Sequence, residues 1–268
     1  MSICIIIPAR YGSTRFPGKP LAELGGRTML ERVYAKAKDA VAGDPDIRIA
    51  VATDDERIAA HCRDKSMPVV MTPEDCATGS DRVIEAADKM GLISDDVVIN
   101  LQGDAPLMPV AAIRAMLDEF WTHPATKVAT PVKRLRWAEL DALREAKKTT
   151  PFSGTTVAVN TQSRALWFSK NVIPAIRKEK ALRETGEFSP VYQHLGLYGY
   201  QVAMLERFTN LKPGTYEELE GLEQLRFIEN GIPVQCVEIT PGLLIHAGID
   251  SPEDLERAKK IIEQEESV

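Results

Sequence analysis

The sequence predicts an α/β fold in which a mostly parallel central sheet carries helices on both faces. Short β-branched runs alternate with amphipathic segments through the first half of the chain, a pattern typical of parallel strands joined by crossover helices. The first run, Ile3–Ile7, is apolar at every position, as expected for a strand that is buried on both faces. With 268 residues and 44% hydrophobic residues, the chain is long enough to bury one large core.

Five strands and four helices are predicted in the first half. The strands are expected at Ile3–Ile7, Ile47–Ala52, Val69–Met71, Val97–Leu101 and Lys127–Val132. The helices are expected at Met29–Val41, Glu56–Asp64, Asp81–Met90 and Val110–Trp121. Thr53 and Asp54 are candidate caps for the second helix, and Ser80 is a candidate cap for the third. Because such sheets bind ligands beyond the carboxyl ends of their strands, we expect the site in the loops there.

The middle of the chain breaks this alternation with basic and polar runs such as REAKKTT and AIRKEKALRETGEFSP. We interpret residues of about 133–209 as a smaller sublobe with surface loops, within a single domain whose core spans about 1–132 and 210–268. After the middle section we expect a strand to about Gln201, a helix across Tyr216–Gly231, a strand in VQCVEI and a closing helix from Asp254 that Ser251 caps.

Charge and cysteine content exclude several classes of protein. The net charge of −6 is opposite to that of a general nucleic-acid surface. The four cysteines are Cys4, Cys62, Cys76 and Cys236, and their wide spacing predicts free thiols rather than a zinc site or disulfides. The apolar run at the start is too short for a signal peptide or a membrane span, so we expect a cytoplasmic protein.

The loop after the first strand concentrates positive charge. Arg10, Arg15 and Lys19 alternate there with glycines and prolines, and no acidic residue lies among them. Amide hydrogens of a curled backbone, together with long cationic side chains, are suited to a polyphosphate. A solvated surface loop is the alternative interpretation. The loop is not a Walker motif, because Pro20 stands where serine or threonine is required, and no dinucleotide fingerprint is present.

Two aspartates that follow apolar runs are candidate magnesium ligands. Asp104 comes at the end of VVINLQGDAP, where Gly103 lets a ligand approach closely, and Asp250 lies in IHAGIDSPEDL before the last helix. Magnesium bound to phosphates usually takes only one or two protein carboxylates, so this pair would suffice. A loop cap for Asp104 and a helix-start role for Asp250 are the alternatives.

Three polar segments are candidates for contacts with a nucleoside or a sugar. TPEDCATGSDR leads into a helix where free amides and Ser80 can hold a ribose or a base, although a plain helix cap explains Ser80 equally well. QHLGLYGY contains His194 and Tyr198, and EGLEQLR contains Glu223 and Gln224. A hydrogen-bonded core histidine is the alternative interpretation of His194.

Together these segments resemble a known enzyme family. IIIPARYGSTRFPGKPL, VATDDERI, ATGSDR, INLQGDAPL, HLGLYGY, LEQLR and GIDSPEDLERA are similar, in this order, to motifs of the 3-deoxy-manno-octulosonate (Kdo) cytidylyltransferases. The similarity covers nearly the full chain. It implies a Rossmann-like nucleotidyltransferase fold with a dimerisation sublobe, and magnesium-dependent transfer of CMP from CTP to a sugar acid for lipopolysaccharide or capsule synthesis.

The resemblance also implies a role for each matching residue. The residues expected to bind the CTP phosphates are Arg10, Ser13, Arg15 and Lys19. Those in the motif near the nucleoside are Ser80, Asp81 and Arg82. The expected magnesium ligands are Asp104 and Asp250. The residues expected to face the sugar acid are Gln102, His194, Tyr198, Glu223 and Gln224. Catalysis is expected to depend most on Arg10, Arg15, Lys19 and Asp104.

The chain departs from the family pattern in three motifs, and its segment from Arg177 to Pro190 is longer than usual. Ala105 stands where glutamate is common, SGTTVAV at Ser153–Val159 replaces a usual NxVK stretch, and Lys170 stands where arginine is common. These positions lie outside the phosphate loop, so they predict altered contacts with the acceptor, such as a modified Kdo or its 8-amino variant. A nucleotidyltransferase acting on a sugar 1-phosphate and a catalytically silent nucleotide-binding relative are the alternatives.

Overall fold

The computed structural model describes residues 1–12, 16–240, 248–249 and 251–266. Its strands are β1 Ile3–Pro8, β2 Glu23–Leu24, β3 Arg27–Thr28, β4 Ile47–Thr53, β5 Val69–Met71, β6 Val97–Leu101, β7 Val128–Arg136, β8 Thr156–Val159, β9 Ala165–Ser169, β10 Phe188–His194, β11 Leu197–Gln201 and β12 Gln235–Glu238. Its helices are α1 Met29–Val41, α2 Glu56–Asp64, α3 Gly79–Lys89, α4 Val110–Thr122, α5 Trp137–Ala146, α6 Glu179–Thr185, α7 Val202–Thr209, α8 Thr215–Glu220, α9 Leu225–Glu229 and α10 Pro252–Glu266.

A ten-stranded sheet with the order β5-β4-β1-β6-β11-β7-β10-β8-β9 organises the molecule, and β12 pairs with β7. The strands β5, β4, β1 and β6 are parallel neighbours. Pairing becomes antiparallel at β11 and stays so through β7, β10, β8 and β9, while β12 runs parallel to β7. Most strands of this sheet therefore run in one direction, and β9, β10 and β11 run in the other. The predicted α/β fold is confirmed.

The central strand β1 is apolar throughout because helices cover both of its faces. Side chains alternate between the two faces of a strand. Ile3, Ile5 and Ile7 belong to one buried cluster, with α1, α2 and α4 residues, whereas Cys4 and Ile6 belong to a second cluster with α3 and α7 residues. A strand sandwiched in this way places the residues at its carboxyl end, such as Arg10, at one edge of the sheet.

Several predicted boundaries are confirmed, among them Val69–Met71, Val97–Leu101, Met29–Val41 and Glu56–Asp64. The Ser251 cap is confirmed as well, because its hydroxyl accepts a hydrogen bond from the Asp254 amide at 3.2 Å. The helix itself begins at Pro252 rather than at Asp254.

The caps predicted for α2 and α3 and one predicted helix are wrong. Asp55, and not Thr53 or Asp54, caps α2, since its side chain accepts from the Arg57 amide. Thr78 rather than Ser80 caps α3. The single helix expected across Tyr216–Gly231 is two helices, α8 and α9, because Gly221 takes a φ of +62° and ends α8. Serine, threonine and aspartate all cap helices, so neighbouring candidates of these types are not separable by pattern.

The middle section contains more regular structure than the surface loops predicted for it. Strands β8, β9 and β10 extend the main sheet, and α5 and α6 accompany them. Within the described ranges, none of the helices is sufficiently long and apolar to cross a bilayer. The cysteines are free thiols in the structure, with Cys76 only partly buried.

Candidate active site

Two cavities adjoin at the edge of the sheet where β1 and β6 end. The first cavity, of about 250 Å³, is lined by Arg10, Lys19, Thr78, Gly79, Arg82 and Asp104, among others. The second cavity, of about 400 Å³, is lined by Gly154, Thr155, His194, Tyr198, Glu223 and Gln224, among others. Gln102 and Asp104 line both cavities. The two spaces therefore share one wall, at the end of β6.

The loop after β1 brings two cations to the first cavity. Gly18 has a φ of +73° and its amide donates to the Tyr11 carbonyl at 2.9 Å, so the chain turns back on itself. A short 3-10 turn, Lys19–Leu21, follows and directs Lys19 towards the end of β6. Arg10 and Lys19 both line the cavity, as the sequence led us to expect. Ser13 and Arg15, predicted as phosphate ligands, lie outside the described residues.

Asp104 lies opposite Lys19. The Lys19 Nζ donates to Asp104 Oδ2 at 2.8 Å, and these side chains are 14% and 33% exposed, so the pair faces the cavity without being freely solvated. The backbone of Gly248 and Ile249 packs against this point, with the Ile249 amide donating to the Asp104 carbonyl at 2.9 Å. Asp250, the second predicted metal ligand, follows Ile249 in the sequence and lies outside the described residues.

The chain ends of β1 and β6 touch here because residue 103 is glycine. A Cβ atom built on Gly103 would lie 2.7 Å from the Pro8 carbonyl oxygen, which is closer than real Cβ atoms come to backbone. Without a side chain at this position, Asp104 lies directly beside the loop that carries Arg10 and Lys19. The sequence reading attributed this glycine to ligand approach, whereas the structure shows that it permits approach of two backbones.

The amino terminus of α3 faces the first cavity, through Thr78 and Gly79. Thr78 and Asp81 form a capping box, in which Asp81 Oδ2 accepts from the Thr78 amide at 2.8 Å. Helix amino termini favour anions because their amide hydrogens and dipole are positive. Sequence reasoning assigned this segment to the nucleoside but did not single out Thr78 or Gly79.

The three residues predicted near the nucleoside divide in the structure. Arg82 lines the first cavity, but it is only 3% exposed and its guanidinium donates to Thr72 Oγ1 at 2.5 Å and to Asp54 Oδ2 at 2.8 Å. Ser80 is buried and donates to Glu223 Oε2 at 3.1 Å, on the side of the second cavity. Asp81 is not among the residues that line the first cavity, and its carboxylate closes the capping box.

The second cavity is polar and partly withdrawn from solvent. His194 Nε2 lies 2.9 Å from Thr130 Oγ1, and burial, with a smaller contribution from Lys170, lowers the pKa of His194 to about 3. The ring is therefore neutral at physiological pH. Burial raises the pKa of Glu223 and raises that of Tyr198 well above its ordinary value. Thr130 was not predicted, because a threonine inside an apolar strand gives no sequence signal of a site.

Two polar atoms in this region lack partners. The Tyr198 hydroxyl and Glu223 Oε1 are buried and have no hydrogen-bond partner among the described residues. Burying such a group without a partner costs about 1–3 kcal/mol. A ligand with hydroxyl or amino groups would satisfy these atoms, so the cavity is suited to a polar, sugar-like molecule.

The other residues expected at the sugar acid, Gln102 and Gln224, also line the second cavity. The side-chain Nε2 of Gln102 donates to Asn100 Oδ1 at 3.0 Å, and this hydrogen bond fixes the Gln102 side chain at the shared wall. Of the positions that depart from the family pattern, Ala105, Gly154 and Thr155 line the same cavity. Three of the departing positions therefore lie at the second cavity, and none of the departing positions lines the first.

Comparisons with known proteins agree with this geometry. A model of the cytidylyltransferase family matches residues 4–239. The chain belongs to this family. A 3-deoxy-manno-octulosonate cytidylyltransferase from Maricaulis maris is 42% identical over 266 residues, which are 99% of this chain and 98% of the relative. An 8-amino-3,8-dideoxy-manno-octulosonate cytidylyltransferase from Shewanella baltica is 38% identical over 262 residues, which are 97% of this chain and 98% of the relative.

A solved structure extends the likeness of this cytidylyltransferase to three dimensions. The CMP:2-keto-3-deoxy-manno-octonic acid synthetase complexed with CTP matches with a TM-score of 0.82 at 32% identity, covering 99% of this chain and 100% of that one. The resemblance to the Kdo cytidylyltransferases that the sequence motifs indicate is confirmed.

Proposed function

We propose that this cytidylyltransferase transfers CMP from CTP to the anomeric 2-hydroxyl group of Kdo, or of a close analogue such as its 8-amino derivative, and releases pyrophosphate. One observation carries the proposal: a cation-lined cavity and a polar, sugar-sized cavity share the wall formed by Gln102 and Asp104. Transfer of a nucleotidyl group requires the α-phosphate of one substrate beside a hydroxyl of the other. The full-length similarity to Kdo and 8-amino-Kdo cytidylyltransferases supports this choice of substrates.

The first cavity would hold the triphosphate. Arg10, Lys19 and the amino terminus of α3 converge on it and supply positive potential from three directions. Negative charge grows on the pyrophosphate as it leaves, so cations fixed at that position stabilise the transition state more than the ground state. Arg15 belongs to the same loop by sequence and is proposed to serve the same end. Arg82 would act mainly by holding α3 in place, because its own donors are already engaged by Thr72 and Asp54.

The reaction is a direct displacement. The 2-hydroxyl oxygen attacks the α-phosphorus, and a new P–O bond forms. The bond from the α-phosphorus to the oxygen bridging the β-phosphate breaks, its electron pair leaves with pyrophosphate, and the hydroxyl proton goes to solvent. No covalent enzyme intermediate is required. The chain contributes chiefly by aligning the two substrates across the shared wall, which replaces a bimolecular encounter by an effectively unimolecular step.

Magnesium is part of the proposal, held by Asp104 and Asp250. The Asp104 carboxylate is a hard oxygen ligand of the kind magnesium prefers, with Oδ2 paired to Lys19 and Oδ1 next to the Gly248 backbone. When bound, magnesium would neutralise phosphate charge and make the α-phosphorus more electrophilic.

The second cavity would hold the sugar acid. Tyr198 and Glu223 offer buried polar atoms without partners, and His194 is a neutral hydrogen-bonding group rather than a cation. A polyhydroxylated acceptor would satisfy these atoms. A carboxylate oxygen such as Glu223 Oε1 accepts from an ammonium group as readily as from a hydroxyl group, so the cavity is compatible with the 8-amino analogue too.

An acceptor panel tests the proposal. Pyrophosphate release is measured with CTP and magnesium in the presence of Kdo, 8-amino-Kdo or glucose 1-phosphate, and then with ATP, GTP or UTP replacing CTP. We expect release with CTP and one or both octulosonates only. Release with glucose 1-phosphate would identify a sugar-phosphate nucleotidyltransferase, and no release with any acceptor would indicate a catalytically silent relative. Turnover of Kdo at least as fast as that of the 8-amino analogue would exclude a specialised acceptor.

We also propose that the chain works as a cytoplasmic homodimer that supplies lipopolysaccharide or capsule synthesis. Exposed apolar side chains on the sublobe and the neighbouring helix α8 support self-association, since Leu166 and Leu219 are 56% and 75% exposed and Tyr216 is 51% exposed. Sedimentation velocity of the wild-type chain and of a Leu166→Glu/Leu219→Glu variant checks this, and a monomeric wild-type chain would contradict it.

A further inference from the structure

Lys147, directly after α5, has its ammonium group enclosed by backbone carbonyl oxygens. The Nζ atom donates to the carbonyls of Ser153 at 2.5 Å, Gly154 at 2.9 Å and Lys170 at 2.5 Å. A fourth carbonyl, that of Pro151, lies 3.3 Å away. The three ammonium hydrogens are thus donated to backbone carbonyl oxygens. The carbonyls surround the charge much as they would surround a bound monovalent cation.

The electrostatic surroundings of Lys147 differ from those of an ordinary surface lysine. Burial, and secondly the positive charge of Lys170, lowers its pKa, and Glu220 acts weakly in the opposite direction. Carbonyl dipoles therefore take the place of water around the charge. The side chain of the next residue, Lys148, is exposed, and its ammonium group forms an ion pair with the Glu145 carboxylate at 2.6 Å. This neighbour offers a matched control.

The enclosed ammonium connects two segments, the first of which borders the second cavity. One is the loop before β8, where Gly154 and Thr155 line that cavity. The other is the turn after β9, where Glu220 also holds the Lys170 amide at 2.8 Å. The loop in turn contacts a predicted acceptor residue, since the His194 amide donates to the Thr155 carbonyl at 2.9 Å.

We propose that Lys147 is a positioning residue for the acceptor: its ammonium fixes the loop at Pro151–Thr155 against the second cavity. The inference rests on the proposed function, because it assigns the second cavity to the sugar acid. Without the ammonium group, four carbonyl oxygens face one another with no donor between them, and the loop moves to find water. Such movement displaces Gly154, Thr155 and, through the Thr155 carbonyl, the backbone of His194. None of the residues that line the first cavity belongs to this loop.

The test replaces the charge and then returns it. Lys147→Ala removes the equivalent of a propylammonium group. We expect the KM for the acceptor to rise about tenfold or more, while the KM for CTP stays within about twofold. Added propylammonium should restore the acceptor KM in part, whereas tetramethylammonium, which has no N–H donors, should not. Lys148→Ala should leave both KM values unchanged.

Gly154→Ala disturbs the same loop while keeping the ammonium group. Gly154 has a φ of +67°, which strains the backbone when alanine is placed there, and the new Cβ atom would lie 3.1 Å from Leu143 Cδ1. We expect this variant, too, to raise the acceptor KM selectively. If Lys147→Ala fails to fold, Gly154→Ala still tests whether this loop positions the acceptor.

The outcomes separate the two proposals. Wild-type chain that releases no pyrophosphate with any octulosonate contradicts the proposed function. Active wild-type chain together with an unchanged acceptor KM in Lys147→Ala, or in Gly154→Ala, contradicts only the role of this loop. Equal rises in the KM for CTP and for the acceptor, or equal rescue by tetramethylammonium, would also overturn it.

Discussion

Substitution of Gly103 by alanine is expected to damage the site through a single methyl group. The new Cβ would lie 2.7 Å from the Pro8 carbonyl oxygen, 0.7 Å short of the 3.4 Å at which ordinary contact begins. The obstacle is backbone at the end of β1, a strand buried on both faces, so it cannot yield as a flexible side chain would. Relief therefore has to come from displacement of the Gly103–Asp104 segment or of the loop that carries Arg10.

The expected cost can be estimated from this geometry. Forcing an extra methyl group into packed structure typically costs about 1–3 kcal/mol of unfolding free energy. A misplacement approaching 1 Å at reacting groups costs on the order of 100-fold in rate. We therefore expect kcat/KM of Gly103→Ala to fall about 100-fold, with most of the fold retained.

Gly79→Ala is the matched control, because Gly79 lines the same cavity and likewise lacks a positive φ. A Cβ atom there would lie 3.5 Å from Gln102 Oε1, in ordinary contact, and alanine favours the helix. Steady-state pyrophosphate release and urea unfolding of both variants provide the measurements. Wild-type activity in Gly103→Ala, or an equal loss in Gly79→Ala, would refute the steric argument.

Three further predictions concern single groups of the site. Asp104→Asn should retain wild-type unfolding free energy within about 1 kcal/mol yet lose about 100-fold or more in kcat, and near-normal turnover would remove this carboxylate from the chemistry. Tyr198→Phe should raise the acceptor KM several-fold without destabilising the chain, because the hydroxyl has no partner among the described residues; a loss of stability in thermal unfolding would contradict this. Burial lowers the pKa of His194 to about 3, so the ring is neutral in the folded chain, and the free energy of unfolding should fall by up to about 1.4 kcal/mol per pH unit as the pH drops from 6.5 towards 3. His194→Gln should lose this part of the pH dependence. The free energy of unfolding of both proteins is measured by urea unfolding at pH 7.5 and pH 5, and an equal change between the two pH values in wild type and His194→Gln would contradict the assignment.

The sign of the His194 effect follows from proton counting. Between the two pKa values the unfolded chain holds a proton on this ring and the folded chain does not, so acid favours unfolding. Above pH 6.5 neither state holds the proton, and the contribution is complete there.

Much of the fold was predictable because it follows from local pattern. The uninterrupted apolar run of β1 requires cover on both faces, and alternation with amphipathic helices requires a parallel sheet there. The cationic loop after β1 and the aspartate after β6 then had to meet at one edge, since parallel strands bring their carboxyl ends together. The Lys19–Asp104 pair, separated by 85 residues, follows from this topology.

The sequence did not determine which of several equivalent groups takes each role. Thr78 caps α3 and leaves Ser80 to Glu223, although both are good caps, because only the packing of α3 against α7, β1 and β6 decides which hydroxyl faces inward. Arg82 was expected near the nucleoside, whereas in the structure its guanidinium donates to Thr72 and Asp54.

By itself, therefore, the sequence determined the fold class, the family and the sheet edge that carries the site, since these depend on periodicity and on residues close together in the chain. Only the tertiary structure decided that Gly103 lets two backbones approach closely, that Thr130 lies within hydrogen-bond distance of His194 and that backbone carbonyls enclose the Lys147 ammonium group. Those contacts join residues far apart in the chain, and their energies depend on burial and on carbonyl directions that no local pattern encodes.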